Sequence, residues 1–332
     1  YLQDYGLGPL DPWPRPKAME LGPRDRLSQA FWHERQKGRT VDTPHGPAVH
    51  LDLRHLGEKK IHERLPLIAE AAETFAGVDP VKDPIPVCPA VHYTMGGILT
   101  DGRCQTPIQG LFAAGECSSV GIHGANRLGS NSLAELLVFG RLAGEGAATV
   151  AAERGRGQAD TAMLKQAEDA ERRILAWLDP ARNAGPGAER PATIRDEMRV
   201  AMEDGVGIYR DEKGMQATCD KLAELRERYR RVRIDDHSLA FNTDWLTTLE
   251  LGYSLEVAQA MAHSALQRKE SRGAHQRLDG YTERDDAQFM KHSLAHYTGD
   301  GAPDITLQPV VITKSQPRAR VYGGAGKKAE MS

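Results

Sequence analysis

What this sequence lacks already narrows the class of protein. Its 332 residues include only four cysteines, Cys88, Cys104, Cys117 and Cys219. No two of them form a C-x-x-C pair, so we expect buried, reduced thiols and no metal site. The formal net charge of -3 argues against a nucleic-acid-binding protein, which usually has a basic excess. No apolar run approaches the roughly 20 residues that a membrane-spanning helix needs.

The amino end also lacks two features. It reads YLQDY, with no initiator methionine and no charged-then-apolar signal region. A chain that opens in this way is expected to be a mature product or a fragment. Hydrophobic residues make up 40% and charged residues 27% of the sequence, which is typical of a globular protein. At roughly 150 residues per domain, the length suggests about two domains.

Apolar spacing predicts helices over 24–38, 58–77 and 132–153, and strand character over 48–53. Helices dominate from residue 160 onward, and their short loops suggest a small antiparallel bundle. These four helices are predicted over 160–179, 192–209, 212–233 and 242–271. A strand is predicted over 305–313, and the last ten residues are expected to be disordered.

The middle of the chain is rich in glycine between predicted elements. Two apolar runs, 96–100 and 110–116, flank a turn, and a glycine-rich loop then leads into the helix over 132–153. This order brings backbone N–H groups and a helix N-terminus to a cofactor or an anion. The Gly96–Gly97 pair permits close approach of the backbone to a ring or a phosphate. Glu116 is predicted to end a strand, where a carboxylate can accept hydrogen bonds from a ribose.

Several polar side chains nearby have both a functional and an ordinary structural interpretation. Arg127 presents a rigid fork of donors suited to a carboxylate. Residues 130–132 are N-cap candidates, and their N–H groups could instead face a ligand. Arg24 follows Pro23 at a predicted helix start, where a cation is unfavourable to the helix dipole. The basic run 226–233 has acidic neighbours, which favours a solvated helix face over nucleic-acid binding.

Long, collinear segments of this sequence closely resemble the flavoprotein family of fumarate reductase and succinate dehydrogenase. They include MELGPRDRLSQAFWHE, VDPVKDPIPVCPAVHYTMGGI, GLFAAGECSSVGIHGANRLGSNSLAELLVFGRLAGE, IRDEMRVAMEDGVGIYR and RKESRGAHQRLDGYTERDD. The resemblance runs from the first residue to about residue 293. RLGSNSLAELLVFGR and RKESRGAHQRLD favour the fumarate reductase branch of the family.

Two features of the family are absent from this sequence. Family members begin with a glycine-rich fingerprint for the ADP part of FAD, and they then carry a histidine that bonds covalently to the flavin. The resemblance therefore implies an α+β multidomain fold that corresponds to the C-terminal part of such a protein. The expected divisions are the end of a capping domain (1–88), the second lobe of an FAD-binding α/β domain (89–153), a helical bundle (154–275) and a small C-terminal domain with a flexible tail (276–332).

The resemblance also implies a reaction and roles for individual residues. Fumarate would be reduced to succinate by hydride transfer from FAD N5, with Arg24 as the proton donor. His92 and Arg127 would bind the substrate carboxylates. The remaining matched positions would contact FAD, and they are Gly96, Gly97, Glu116, Asn131, Ser132 and Leu133.

Expected partners are an iron–sulfur subunit and membrane anchor subunits, which would link the flavin indirectly to a quinone in anaerobic respiration. The expected location is the cytoplasmic face of the inner membrane, with peripheral attachment through these partners. Alternatives are a succinate dehydrogenase flavoprotein subunit and L-aspartate oxidase. A further alternative for the isolated chain is a non-catalytic fragment, since it lacks the FAD fingerprint and the proton-relay partners.

Overall fold

The computed structural model describes residues 1–5, 19–44, 46–155, 157, 160–182, 185–299, 301–314 and 316–317. The chain divides into two compact units. The first comprises residues 1–92 with the described residues 316 and 317, and the second comprises 93–315. The predicted disorder of the last ten residues, and most of the predicted flexible tail, fall outside the described residues.

The first unit combines short helices with a three-stranded antiparallel sheet in the order β1-β2-β3. Pro66 occupies the first turn of α3, where its missing N–H is not needed, and Gly77 ends the following π-helical turn at a φ of 64°. Its elements are α1 (Arg24–Gln36), β1 (Val41–Thr43), β2 (Gly46–Leu51), α2 (Glu58–Arg64), α3 (Pro66–Ala71), the π-helical turn Ala72–Ala76 and β3 (Ile85–Val87).

The second unit opens with two short parallel strands, β4 (Ile98–Leu99) and β5 (Ser118–Ser119). The long helix α4 (Asn131–Arg154) follows, close to its predicted bounds. The strand predicted over 110–116 is wrong, because this stretch forms only an isolated bridge between Gln105 and Phe112. Asp101 explains the turn before it, because its carboxylate accepts hydrogen bonds from the N–H groups of Arg103 and Gln105.

The helical region contains α5 (Thr161–Leu175), α6 (Pro191–Val206), α7 (Glu212–Tyr229) and α8 (Thr243–Gln267). Side-chain N-caps from Asp160, Asp211 and Asn242 begin α5, α7 and α8. The buried core includes Ile194, Met215, Leu222, Leu225 and Leu255 on α6, α7 and α8. All four predicted helices are present, but α5 has no buried residue, so among these four helices the core residues lie on the other three.

The end of the second unit contains one turn of helix and a two-stranded antiparallel ribbon. These elements are α9 (Asp286–Phe289), β6 (Lys291–His296) and β7 (Asp304–Pro309). The strand predicted over 305–313 corresponds to β7, whereas its partner β6 was not predicted. The overall content is α+β. In the part of the chain that the structure describes, no helix has the length and apolarity needed to cross a membrane.

All four cysteines are free thiols. Cys104 and Cys219 are buried, as expected, but the expectation is wrong for Cys88 and Cys117, which are exposed. Across the described ranges, no group of three or more histidine, cysteine or acidic side chains is arranged to hold a metal ion.

Candidate active site

The Gly96–Gly97 pair lies where two segments of backbone almost touch. Gly97 has a φ of +148°, and a Cβ atom built on it would lie 2.4 Å from the carbonyl oxygen of Cys117. No larger residue fits there without moving the backbone. Gly96, with a φ of +107°, has open space around it. The pair therefore packs against the start of β5 and leaves backbone exposed on its outer side.

Glu116 lies in the turn just before β5 rather than at the end of a longer strand. Its Oε1 accepts a hydrogen bond from the backbone N–H of Thr94 at 2.9 Å. This bond joins the 94–97 segment to the turn before β5. The side chain is otherwise exposed, so its second oxygen can accept a hydrogen bond from a ligand.

The beginning of α4 carries no side-chain cap. Ser130 occupies the N-cap position in a left-handed conformation, with a φ of 65°, and makes no side-chain cap hydrogen bond. The N-cap function predicted for residues 130–132 is therefore not observed. The N–H of Asn131 donates to the carbonyl oxygen of Leu128 at 3.3 Å, and no side chain caps the N–H groups that follow it, which can therefore face a ligand. Leu133 is 66% exposed in this first turn.

A buried polar network lies beneath these segments. The hydroxyl of Tyr93 donates to Glu135 Oε2 at 2.7 Å, and His123 Nε2 lies 2.6 Å from the same oxygen. Because a carboxylate only accepts hydrogen bonds, Nε2 must carry the proton that faces it. The side chains of His123 and Glu135 are 8% and 2% exposed. Burial, followed by the hydrogen bond to Glu135, raises the pKa of Tyr93 to about 12, so its hydroxyl keeps its proton at neutral pH.

Arg127 stacks on this network. Its guanidinium carbon lies 4.6 Å from the centroid of the Tyr93 ring, and its Nη1 donates to the carbonyl oxygen of Leu128 at 3.1 Å. Its Nε is buried and has no hydrogen-bond partner among the described residues. The guanidinium is thus held against the face of the Tyr93 ring, while most of its N–H donors remain unused.

Two predicted site residues belong to the first unit. Arg24 begins α1 immediately after Pro23, is exposed, and donates from Nη1 to the carbonyl oxygen of Glu20 at 2.8 Å. His92 is exposed at the end of this unit. The predicted residues of the second unit lie on the 94–97 segment, the turn before β5, the loop 121–130 and the first turn of α4.

Tyr93, His123 and Glu135 are functional candidates that were not predicted from the sequence. One signal could have indicated Glu135, since it is the only charged residue in the apolar stretch over 132–140 of a predicted helix. No local pattern indicates that Tyr93 is its partner, because Tyr93 lies 42 residues away from it.

The comparisons with known families match both halves of the chain. Residues 9–133 match a family described as an FAD binding domain. Residues 195–322 match a family described as the fumarate reductase flavoprotein C-term. These matches place the chain in a class of FAD-binding flavoproteins.

Individual relatives are more specific. The fumarate reductase flavoprotein subunit of Serratia sp. is 61% identical over 335 residues, which cover 100% of this chain and 55% of that protein. A mutant quinol fumarate reductase of E. coli superposes with a TM-score of 0.89 at 61% identity, covering 98% of this chain and 55% of that one. The succinate dehydrogenase flavoprotein subunit of Coxiella burnetii is 42% identical, covering 92% of this chain and 52% of that protein.

The chain belongs to the fumarate reductase and succinate dehydrogenase flavoprotein family, as the sequence analysis predicted. It spans about half the length of the curated relatives it matches. The higher identity lies with the fumarate reductase flavoprotein subunits.

The residues present fit an FAD group. Gly96 and Gly97 leave backbone that a flat ring can approach, and a side chain at either position would be strained by its positive φ. The uncapped N–H groups at the start of α4 suit an electron-rich ring edge, and Leu133 offers apolar surface beside them. The free oxygen of Glu116 suits a ribose hydroxyl.

Proposed function

We propose that this chain forms part of the catalytic flavoprotein subunit of a fumarate reductase, which reduces fumarate to succinate. The observation that carries the proposal is the placement of Arg127. Its guanidinium is fixed on an aromatic ring and keeps unused donors, in a loop next to backbone suited to a flavin. A planar fork of donors is suited to binding a carboxylate in a bidentate manner.

FAD, when bound, would supply the hydride for reduction of the alkene. The residues of this chain would hold the substrate and stabilise charge. Fumarate carries two carboxylates, so opposed donors are needed to orient it, and we assign this role to His92 and Arg127. Gly96, Gly97, Glu116 and the first residues of α4, namely Asn131, Ser132 and Leu133, would contact FAD. Covalent attachment of the flavin belongs to this proposal as a feature of the family.

Arg24 is proposed as the proton donor to the second alkene carbon. Its position at the start of α1, with Nη1 bonded to a backbone carbonyl oxygen, leaves part of the guanidinium accessible. An arginine can act as a general acid only if a relay replaces its proton at once. The proposal therefore requires relay residues in addition to those assigned here.

The proposed partners are an iron–sulfur subunit and membrane anchor subunits, which would pass electrons from a quinol to the flavin. The similarity to a quinol fumarate reductase supports this arrangement. We propose peripheral attachment at the cytoplasmic face of the membrane through these partners. We also propose the division into four parts at 1–88, 89–153, 154–275 and 276–332.

The test is dicarboxylate binding by the full-length, FAD-loaded protein. Malonate, a dicarboxylate that resembles the substrate, should shift the flavin absorption spectrum. Arg127→Ala should abolish that shift and leave flavin content unchanged, because the lost group binds a carboxylate and not the flavin. Arg172→Ala, on the exposed side of α5, is the matched arginine control and should respond like the parent protein. An undiminished malonate response in Arg127→Ala would exclude Arg127 from substrate binding.

A further inference from the structure

We infer that the buried network of Tyr93, His123 and Glu135 is a positioning device for Arg127, so that binding of the dicarboxylate depends on residues that do not touch it. This inference rests on the proposed function of Arg127. It adds residues to the site that the sequence analysis did not include.

Arg127 is supported by the aromatic ring of Tyr93. The guanidinium carbon lies 4.6 Å from the Tyr93 ring centroid, within the range of a cation–π contact. A guanidinium that stacks on a ring keeps its edge donors free, whereas one paired with a carboxylate does not. Stacking can thus fix the position of Arg127 without occupying the atoms that a substrate would need.

The Tyr93 ring is itself held in place by Glu135 and His123. Tyr93 donates its hydroxyl to Glu135 Oε2 at 2.7 Å, and its ring meets the His123 ring edge-on, at a centroid distance of 5.3 Å. His123 Nε2 approaches the same carboxylate oxygen at 2.6 Å. Two donors therefore converge on one oxygen of Glu135, which is 2% exposed at the side chain. The ring cannot tilt without breaking a charge-assisted hydrogen bond in a buried place, which is unfavourable.

Glu135 connects this network to a long helix. This residue lies on α4, one turn after the proposed flavin contacts at the start of the helix. His123 and Arg127 lie on the loop that leads into α4. The network therefore connects the loop and the Tyr93 segment to one rigid helix. The helix that carries the proposed flavin contacts thus also determines the position of the Arg127 guanidinium. Positioning from a rigid element matters because a misplacement of about 1 Å can reduce rates by about 100-fold.

The experiment compares variants in the full-length, FAD-loaded protein, with malonate as the probe. Tyr93→Leu removes the ring face and should raise the malonate Kd about tenfold. Tyr93→Phe keeps the ring and should raise it less. Glu135→Gln is isosteric but uncharged, so the charge-assisted hydrogen bonds from Tyr93 and His123 become ordinary, weaker ones, and it should raise the Kd by about three- to tenfold. Cys219→Ala, in the buried core of the helical region, is the control for general destabilisation and should leave the Kd unchanged.

Flavin content, and KM and kcat for fumarate, are measured on the same samples. A positioning role predicts native flavin content, a raised KM and a smaller Kd change for Tyr93→Phe than for Tyr93→Leu. If Tyr93→Leu does not retain flavin, the malonate Kd of the isosteric Glu135→Gln variant provides the test. The inference is wrong if Glu135→Gln binds malonate as tightly as the Cys219→Ala control. Arg127→Ala distinguishes this inference from the proposed function. If only that variant loses the malonate response, the inferred role of the network is wrong, while the proposed function of Arg127 stands.

Discussion

Arg228 on α7 neutralises a cluster of carboxylates that come from three places in the chain. Its guanidinium donates to Glu189 Oε2 at 2.6 Å, to Glu197 Oε1 at 2.6 Å and to Glu224 Oε1 at 2.9 Å. Its side chain is only 16% exposed. The basic run over 226–233 was predicted to be a solvated helix face. For Arg228 this is wrong, because the positive charge is mostly covered and is used inside the molecule.

Removing this arginine should destabilise the protein in a pH-dependent way. Arg228→Met removes the cation that is hydrogen-bonded to Glu189 and leaves Glu197 paired only with Lys221, whose Nζ lies 2.8 Å from Glu197 Oε2, and we expect a loss of about 1–3 kcal/mol at pH 7. The hydrogen bond from Arg228 is the main cause that lowers the pKa of Glu197 to about 2. This hydrogen bond therefore stabilises the folded protein fully at pH values above 4.5, the pKa of Glu197 in the unfolded chain. The stabilisation is lost as the pH falls toward 2, the pKa in the folded protein. Urea unfolding at pH 7 and pH 3 should show a smaller difference from the parent at pH 3.

A control separates this cluster from ordinary surface pairs. Arg172 pairs with Asp169 on α5, and its side chain is 74% exposed. Arg172→Ala should change the free energy of unfolding by less than about 1 kcal/mol, because exposed pairs contribute little. Equal effects of the two substitutions would show that the Arg228 cluster behaves as a surface pair.

At the scale of elements, the segment between α8 and α9 holds the loop that carries Arg127. The N–H of Ala274 donates to the carbonyl oxygen of Ala125 at 2.9 Å. A Cβ atom on Gly273, which has a φ of +59°, would lie 2.3 Å from the same oxygen. Only glycine permits this approach. Two elements therefore fix the loop, namely α4, which follows it directly, through Glu135, and this distant segment through its backbone.

Gly273→Ala should push the loop away and weaken dicarboxylate binding. We expect the malonate Kd of the full-length, FAD-loaded protein to rise several-fold, together with a loss of stability of about 1–3 kcal/mol. Gly280→Ala is the matched control, because Gly280 also has a positive φ, +93°, but has no atom within 4 Å of the added Cβ. It should lose stability and keep the parent Kd. Equal malonate affinity in the two variants would show that the close approach at Ala125 does not set the position of Arg127.

At the scale of the whole molecule, the sequence was informative wherever a local pattern determines the structure. The bounds predicted for the helix over 132–153 differ from those of α4 by one residue at each end. The prediction succeeded because the apolar positions of this helix and the glycine-rich loop before it are local signals. The strand over 110–116 was wrong, since a short apolar run does not say whether a partner strand is present. The network of Tyr93, His123 and Glu135 and the contact of Gly273 with Ala125 join residues far apart in the chain, and no local pattern encodes them.

The buried histidine of the second unit makes the stability of the protein sensitive to acid. His275 is 8% exposed; its Nδ1 lies 2.9 Å from Arg210 Nη1 and its Nε2 lies 3.0 Å from the carbonyl oxygen of Arg268. Arg277 is also buried close by, so a protonated ring would meet further positive charge. Burial, followed by the charge of Arg210, lowers the pKa of His275 from 6.5 to about 4.

The sign of the effect follows from proton binding. Between the two pKa values the unfolded chain binds a proton at His275 that the folded chain does not, so stability decreases as the pH falls from about 6.5 to 4. One group of this kind contributes on the order of 2–3 kcal/mol across that interval.

His275→Gln preserves an acceptor and a donor without titrating, so urea unfolding should show a flatter pH dependence between pH 7 and pH 4.5. The matched variant His62→Gln, at an exposed position, should keep the parent slope. Burial also lowers the pKa values of His263 and His292, which leave a residual slope in the His275→Gln variant. A slope identical to that of His62→Gln would mean that His275 binds a proton as readily in the folded protein as in the unfolded chain, and that its ring nitrogens cannot both be bonded as described.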